Sequence, residues 1–463
     1  MSVFAICSKG TLGRSPWTLG ATQAIEDSFT RIFVLEIFAT FISHMKRNLL
    51  FLLCLLYVCI ATGQVDPLQK IIEGRRNSIE QQQKPYVILI SADGFRYDYP
   101  EKYEAKTLIA LGNQGIRAEG MIPSYPSLTF PNHYTIVTGL YPSHHGLVNN
   151  YFYDANRHES YSMRDSKTVT DGSWYGGTPL WVLAEQQQML TASYYWVASE
   201  ADVQKTLPTY YYSFNDTVSM DHRIQVVVNW LQLPAEKRPH LITFYISNAD
   251  HAGHTYGPDA PETAAAVHFI DSSIQKLTDA VKKTLLTVNY IFLADHGMTQ
   301  IDVDHPLIMP VFDTAKFIIP RGAELVQLYA KNQNDIPDTY TRLKEQEHGF
   351  KVYLKNEMPA YLHYGDKDDL MNRVGDILLI PAWPLTFTWG SSSKPNPGAH
   401  GYDPYLVKDM RAVFIAWGPA FKNHVQIPAF ENVNVFPVVT KILGLTYEKK
   451  IDGDSKIANQ ILK

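Results

Sequence analysis

Six side chains of metal-ligand type stand beyond apolar runs or in a short glycine-flanked motif. They are Asp93 after "PYVILISA", Asp250 and His254 in "SNADHAGH", Asp295 and His296 in "IFLADHGM", and His400 in "GAHGYD". Singly, each has an ordinary explanation: a strand-terminal aspartate caps or turns the chain, and a lone histidine is a hydrogen-bonded surface or core group. Together, three carboxylates and three imidazoles suit two zinc ions, each held by about three protein groups with a position left open. Oxygen and nitrogen donors without thiolate favour zinc over calcium, which takes oxygen alone. A seventh group is the hydroxyl of Thr129 in "PSLTFPNHYTIVTGL". Free threonine does not ionise near neutral pH, so this hydroxyl becomes a nucleophile only beside a cation that stabilises its alkoxide. Pro131 fits the first turn of a helix running to about Thr138, with Gly139 past its end. Thr129 then falls at or next to the cap, where unpaired N–H groups and the positive end of the dipole suit a phosphate.

Such residues need a scaffold that brings them together. The runs "PYVILISADGF", "HLITFYISNADHAGH" and "NYIFLADHGM" are continuously apolar rather than alternating, as expected of buried strands in a mainly parallel α/β sheet. Between them, "APETAAAVHFIDSSIQKLTDAVKKTLL" has Pro261 near its start and apolar residues at Val267, Ile270, Ile274, Leu277 and Val281, a helical spacing. In open α/β sheets ligands gather beyond the carboxyl ends of the strands. Asp93, Asp250 and Asp295 are therefore expected to converge there. From Met298 to about Ser393 the pattern changes to shorter elements with Pro, Asn and Asp clusters. The expected organisation is a catalytic domain over 85–298 and 394–463, with "AVFIAW" as a further buried strand, and an inserted cap subdomain over 299–393. Residues 64–84 are expected to be a linker.

The whole chain sets limits on function. Its 463 residues are 45% hydrophobic and 19% charged, which excludes disordered and collagen-like classes. A formal charge of −5 is a poor surface for a nucleic-acid polymer, although a small phosphate ligand remains open. Residues 1–63 read as a presequence: an upstream extension over 1–44, then a secretory signal over 45–63 with Lys46-Arg47, an apolar block from Leu49 to Ile60, and Ala61-Thr62-Gly63. The block is short of the roughly 20 apolar residues of a membrane span. A secreted protein beginning near Gln64, with no stable span after signal removal, is expected; a signal anchor is the alternative. Cys7, Cys54 and Cys59 all lie in the presequence, so the mature chain must rely on a large core rather than disulfides. Asn215-Asp216-Thr217 is a glycosylation sequon suited to a secreted loop.

From about Tyr86 to Phe421 the chain resembles the nucleotide pyrophosphatase/phosphodiesterase family of the alkaline-phosphatase superfamily. The resemblance rests on "SADGFR", "PSLTFPNHYTIVTGLYPSHHGLVNN", "GGTPLWVLAE", "VVVNWLQLPAEKRPH", "DHAGHTYGP", "ADHGM" and "GAHGYD" in that order. It implies an alkaline-phosphatase-like α/β fold, with a mainly parallel central sheet flanked by helices and an inserted cap. It also implies one zinc on Asp250, His254 and His400 and a second on Asp93, Thr129, Asp295 and His296. Thr129 becomes the nucleophile, Asn150 a hydrogen-bond donor to a phosphoryl oxygen, and Phe130, Trp196 and Phe214 the aromatic walls of a nucleotide pocket. Core packing is the competing reading for those three aromatics. Ser247-Asn248-Ala249 departs from the family's usual residues before the metal aspartate, without touching a ligand. His133, His144, His145 and His251 have no direct role in this reading.

The implied reaction is hydrolysis of a phosphodiester or pyrophosphate bond through a phosphothreonine intermediate, releasing nucleoside 5′-monophosphates. A diester fits better than a monoester, because the oxygen-binding Asn150 is neutral and Arg96 is the only arginine in the motifs that carry Thr129, Asn150 and the candidate metal ligands. The nearest rival is a choline-phosphodiester or lysophospholipid substrate, since an aromatic cage also suits a quaternary ammonium. An inactive secreted binding glycoprotein is the alternative from another class, and the intact ligand set weighs against it.

Overall fold

The computed structural model describes residues 41–48, 66, 68–390 and 394–463. The chain divides into two compact units, residues 1–67 and 68–463. In the first, only a helical segment at 41–48 and Asp66 are described. Most of the expected signal at 45–63 lies outside the described residues, as does nearly all of the extension 1–44. No helix among the described residues is long and apolar enough to cross a membrane.

The second unit is built on a nine-stranded sheet. Its strands are β1 (Lys70–Ile71), β2 (Tyr86–Ala92), β3 (Ile116–Ala118), β4 (Thr191–Tyr194), β5 (Tyr210–Tyr212), β6 (Leu241–Ile246), β7 (Val288–Leu293), β8 (Phe414–Trp417) and β9 (Val425–Ile427). In space they run β1-β5-β4-β6-β2-β7-β8-β3-β9. The pairs β5·β4, β4·β6, β6·β2, β2·β7 and β3·β9 are parallel, whereas β1·β5, β7·β8 and β8·β3 are antiparallel. The expected mainly parallel α/β sheet is therefore present, with "AVFIAW" supplying an antiparallel neighbour to β7.

Burial explains the continuous apolar runs. Val87, Ile88, Leu89 and Ile90 of β2 and Ile291, Phe292 and Leu293 of β7 have no exposed surface, because helices cover both faces. The covering helices include α1 (Lys106–Gln114), α2 (Thr129–Thr138), α3 (Met220–Gln232), α4 (Asn248–Tyr256), α5 (Pro261–Lys282) and α6 (Val435–Leu443). α5 buries Val267, Ile270, Ile274, Leu277 and Val281, the stripe its spacing predicts.

The expected linker is in part folded. Lys70 and Ile71 pair with Tyr211 and Tyr210 as the sheet edge. Asn77 is buried, donates through Nδ2 to the carbonyls of Ala235 and Arg238, and accepts the Leu190 N–H. Its polar composition had concealed an anchor made by one satisfied amide.

Between Thr299–Gln300 and Gly398–Ala399, which pair antiparallel, the chain makes a second, four-stranded antiparallel sheet. Its strands are Phe317–Ile318, Val326–Ala330, Phe350–Leu354 and Ile377–Pro381, with helix Ile336–Glu345 against them. Val326, Leu328, Leu343, Val352, Ile377 and Leu379 are fully buried in a small core there.

Candidate active site

The centre of the sheet sets the site. β6, β2 and β7 are adjacent and parallel, with Ala92 opposite Ile246 and Ser91 opposite Leu293. Their carboxyl ends are thus level. Asp93 follows β2 directly, Asp295 lies two residues past β7, and Asp250 enters in the first turn of α4, one helical turn before His254. His400 arrives on the return from the second sheet, one residue past Gly398–Ala399.

Two groups of potential metal ligands result: Asp93, Asp295 and His296, and Asp250, His254 and His400. In the first, His296 Nε2 lies 3.5 Å from Asp93 Oδ1, 3.0 Å from Asp295 Oδ2 and 3.2 Å from Thr129 Oγ1. In the second, Asp250 Oδ1 lies 3.4 Å from His254 Nε2 and 3.6 Å from His400 Nε2. The rings of His296 and His400 stack at 3.6 Å, so the groups share a wall.

Each imidazole is held from behind. Nδ1 of His254, His296 and His400 lies 2.8 Å from the carbonyl oxygen of Gly398, Gly297 and Ser127, respectively. A carbonyl only accepts, so these bonds assign the proton to Nδ1 and leave the Nε2 lone pair facing the cluster. That arrangement orients a metal-binding histidine.

The carboxylates are half-satisfied in the same sense. Asp93 Oδ2 accepts from the Tyr245 hydroxyl at 2.6 Å, and Asp295 Oδ1 from the Gly94 N–H at 3.3 Å. Asp93 Oδ1, Asp295 Oδ2 and Asp250 Oδ1 are buried and accept no hydrogen bond. Unsatisfied buried carboxylate oxygens are costly and call for a partner. Three of them, aimed at three Nε2 lone pairs, fit divalent cations.

Taken by themselves, the charged groups act on one another. Burial and then the neighbouring Asp295 and Asp250 push the Asp93 carboxyl well up. Burial also acts on Asp295, but His296 and His133 outweigh it and hold this carboxyl well below the usual range. Burial lowers His296, but Asp295 reverses the direction and raises it. Burial, His296 and His254 push His400 well down, keeping it neutral and able to ligate.

Thr129 is the first residue of α2, directly after the cap residue Leu128, and Gly139 ends the helix in the left-handed conformation with φ 67°. Asn150 is tied to this helix start: its Oδ1 accepts the Phe130 N–H at 3.0 Å. That bond assigns the amide orientation and leaves Nδ2 as a donor at the wall of a cavity of about 700 Å³. The cavity is also lined by His254, His400, Arg164, Arg321, Glu324 and Lys394.

The aromatic residues separate. Phe130 is partly exposed and packs edge-on to Tyr161, and Phe214 is 52% exposed beside Tyr245. Trp196 is 2% exposed and donates its indole N–H to the His133 carbonyl, so it packs in the core beneath α2. Asn215 lies in a turn between β5 and α3, its Oδ1 accepting from the Thr217 N–H and hydroxyl. His145 bonds Thr135 and His144 bonds Asp452, away from both clusters, and His251 is exposed. His133 was misjudged, since its Nδ1 lies 3.2 Å from Asp295 Oδ2. Its place four residues after Thr129, on the same helical face, was the available signal. Tyr245 was missed because its strand read only as apolar.

A mainly parallel α/β sheet that brings two carboxylate–imidazole groups and a helix-start hydroxyl to one edge defines an alkaline-phosphatase-like fold. Within it the chain belongs to the type I phosphodiesterase/nucleotide pyrophosphatase family, whose model matches residues 87–403. It is 33% identical over 400 residues to mouse ectonucleotide pyrophosphatase/phosphodiesterase family member 1, covering 82% of this chain and 43% of that protein. It is 34% identical over 392 residues to a venom phosphodiesterase of Crotalus durissus collilineatus, covering 81% and 46%. The chain thus spans less than half the length of these relatives. Murine ectonucleotide pyrophosphatase/phosphodiesterase 5 superposes with a TM-score of 0.76 at 26% identity, covering 82% of this chain and all of that one. An inactive threonine-to-alanine form of the murine protein, in complex with AMP, has the same TM-score at 25% identity and the same coverage.

Proposed function

We propose that the protein is a secreted phosphodiesterase and nucleotide pyrophosphatase that carries two zinc ions and releases nucleoside 5′-monophosphates. The observation that carries this reading is the pair of clusters with three unpartnered carboxylate oxygens, with Thr129 Oγ1 3.2 Å from His296 Nε2 at their edge. Asp250, His254 and His400 would hold one ion, and Asp93, Asp295 and His296, with Thr129, the other. Bound there, zinc supplies Lewis-acid charge to phosphoryl oxygens and lowers the proton affinity of nearby hydroxyls.

The chain's own residues supply position. The Thr129 oxygen attacks phosphorus, forming a phosphothreonine diester as the bond to the leaving group breaks. Water then displaces threonine, releasing the monophosphate. Asn150, fixed through the Phe130 N–H, keeps Nδ2 directed at a phosphoryl oxygen. Phe130 and Phe214 retain ring surface for a base, and the inactive threonine-to-alanine relative in complex with AMP supports both the hydroxyl and the nucleotide. The signal at 45–63, a glycan on Asn215 and the reading of 299–393 as a cap complete the proposal.

The cavity favours nucleotides over choline diesters. Arg164, Arg321 and Lys394 line it against a single carboxylate, Glu324, which suits an anionic leaving group such as pyrophosphate rather than a quaternary ammonium. The purified protein is expected to hydrolyse a p-nitrophenyl ester of a nucleoside 5′-monophosphate and a nucleoside triphosphate faster than glycerophosphocholine. Faster turnover of the choline diester would replace this reading, and inertness to all three with zinc bound would refute the enzyme.

A further inference from the structure

One imidazole outside the ligand set is joined to three parts of the site. His133, on α2 one turn after Thr129, has no exposed surface. Its Nε2 lies 2.8 Å from the hydroxyl of Ser91, two residues before Asp93 on β2. Its Nδ1 lies 3.0 Å from the carbonyl oxygen of Thr129 and 3.2 Å from Asp295 Oδ2. Trp196 and Tyr245 meet the ring edgewise at 5.2 and 5.3 Å, and Tyr245 itself donates to Asp93. The ring therefore touches the surroundings of Asp93, Thr129 and Asp295 at once.

The bonding orients the ring. Thr129 O can only accept, so Nδ1 carries a proton, and Nε2 pairs with the Ser91 hydroxyl. The Nδ1–H points to the Thr129 carbonyl with Asp295 Oδ2 alongside. The positive end of the bond attracts the carboxylate, yet Asp295 Oδ2 accepts no hydrogen bond and keeps its lone pairs. An apolar ring would leave Asp295 held by the Gly94 N–H alone, with no polar neighbour at Oδ2 from this helix.

We infer that His133 is a positioning residue that sets the distance between the Thr129 hydroxyl and Asp295 and so completes the Asp93–Asp295–His296 cluster. The inference rests on the two-zinc reading. It predicts effects on zinc affinity and on kcat, with KM little changed, because the ring does not line the cavity around Asn150. Loss of an outer-shell partner typically weakens metal binding or activity by about 10–100-fold.

The test is zinc competition against a chromophoric chelator, with kcat and KM alongside, on the full chain and three variants. His133→Leu removes both ends of the bridge. His133→Asn keeps a donor near the Nδ1 position, and His133→Gln keeps only a group near Nε2. His133→Leu is expected to bind one of two zinc ions about 10–100-fold more weakly, with kcat lowered, and His133→Asn to recover most of both. Should His133→Leu fail to fold, the Asn variant is expected to hold that zinc at least tenfold more tightly than the Gln variant. Equal affinity in the Asn and Gln variants, or a folded Leu variant with wild-type zinc affinity, overturns the inference. A wild-type chain that binds no zinc overturns the underlying reading instead.

Discussion

Gly94 joins the two clusters through the backbone, and replacing it with alanine isolates that junction. It follows Asp93, donates its N–H to Asp295 Oδ1, and has φ +67°, a left-handed conformation that costs other residues about 1–2 kcal/mol. A Cβ added there would meet Asp250 Cα at 2.8 Å and Asp250 Cβ at 3.0 Å. Asp250 must therefore withdraw by roughly 0.6 Å to regain ordinary van der Waals contact near 3.4 Å. The obstacle is backbone at the start of α4, which cannot rotate aside as a side chain would. Strain and displacement together are expected to lower stability by about 1–3 kcal/mol in urea unfolding. They also move a ligand of one cluster relative to Asp93 of the other. Because misplacements near 1 Å at a reacting centre cost about 10²-fold, Gly94→Ala is expected to lose on the order of tenfold to 10²-fold in kcat. Zinc content by mass spectrometry and kcat on a p-nitrophenyl nucleotide ester are the assays. A Gly94→Ala protein with two tightly bound zinc ions and wild-type kcat would refute the claim that this contact sets the spacing.

Three further outcomes follow from the same geometry. Chelation should abolish hydrolysis and lower the unfolding free energy, by about 4 kcal/mol per zinc site if zinc had been present at about 1,000 times its Kd, and zinc should restore both; an unchanged melting temperature would contradict the orphaned carboxylate oxygens as metal ligands. Asn150→Ala should lower kcat by about 10²–10³-fold, and Asn150→Asp should not restore it, because aspartate supplies the acceptor for the Phe130 N–H but no donor; recovery in Asn150→Asp would refute the donor role. Burial pushes His145 down to about 3, with Nδ1 accepting the Leu147 N–H, so the native state refuses a proton that the unfolded chain binds near 6.5. Its stability contribution is therefore full above pH 6.5 and falls toward pH 3, and the urea-unfolding gap between wild type and His145→Asn should narrow by roughly 1–2 kcal/mol between pH 7 and pH 5.

The sheet was legible because its central strands are buried on both faces. A run such as "PYVILISAD" is short, β-branched and almost wholly apolar, which suits a strand covered on both sides, and its terminal aspartate marks the carboxyl end. The candidate aspartates at the ends of those runs were legible for the same reason. What the residues alone left open was the partition into two clusters, since level ends of β6, β2 and β7 and the return of His400 are facts of pairing across the chain. Polar segments with one well-satisfied side chain were misread, as at Asn77. Buried residues around the Thr129 helix were the least legible: for Trp196, in the loop after β4, core packing is the reading that holds, and the place of His133 beside Asp295 depends on contacts across the chain.

The central claim is that Thr129 forms a covalent bond to phosphorus during turnover. Rapid acid quench of the zinc-loaded protein with a p-nitrophenyl nucleotide ester, followed by peptide mass analysis, tests it directly. The account predicts a nucleotidyl adduct on the peptide containing Thr129, absent in Thr129→Ala along with turnover. Wild-type turnover by Thr129→Ala, or an adduct on another residue, would contradict it.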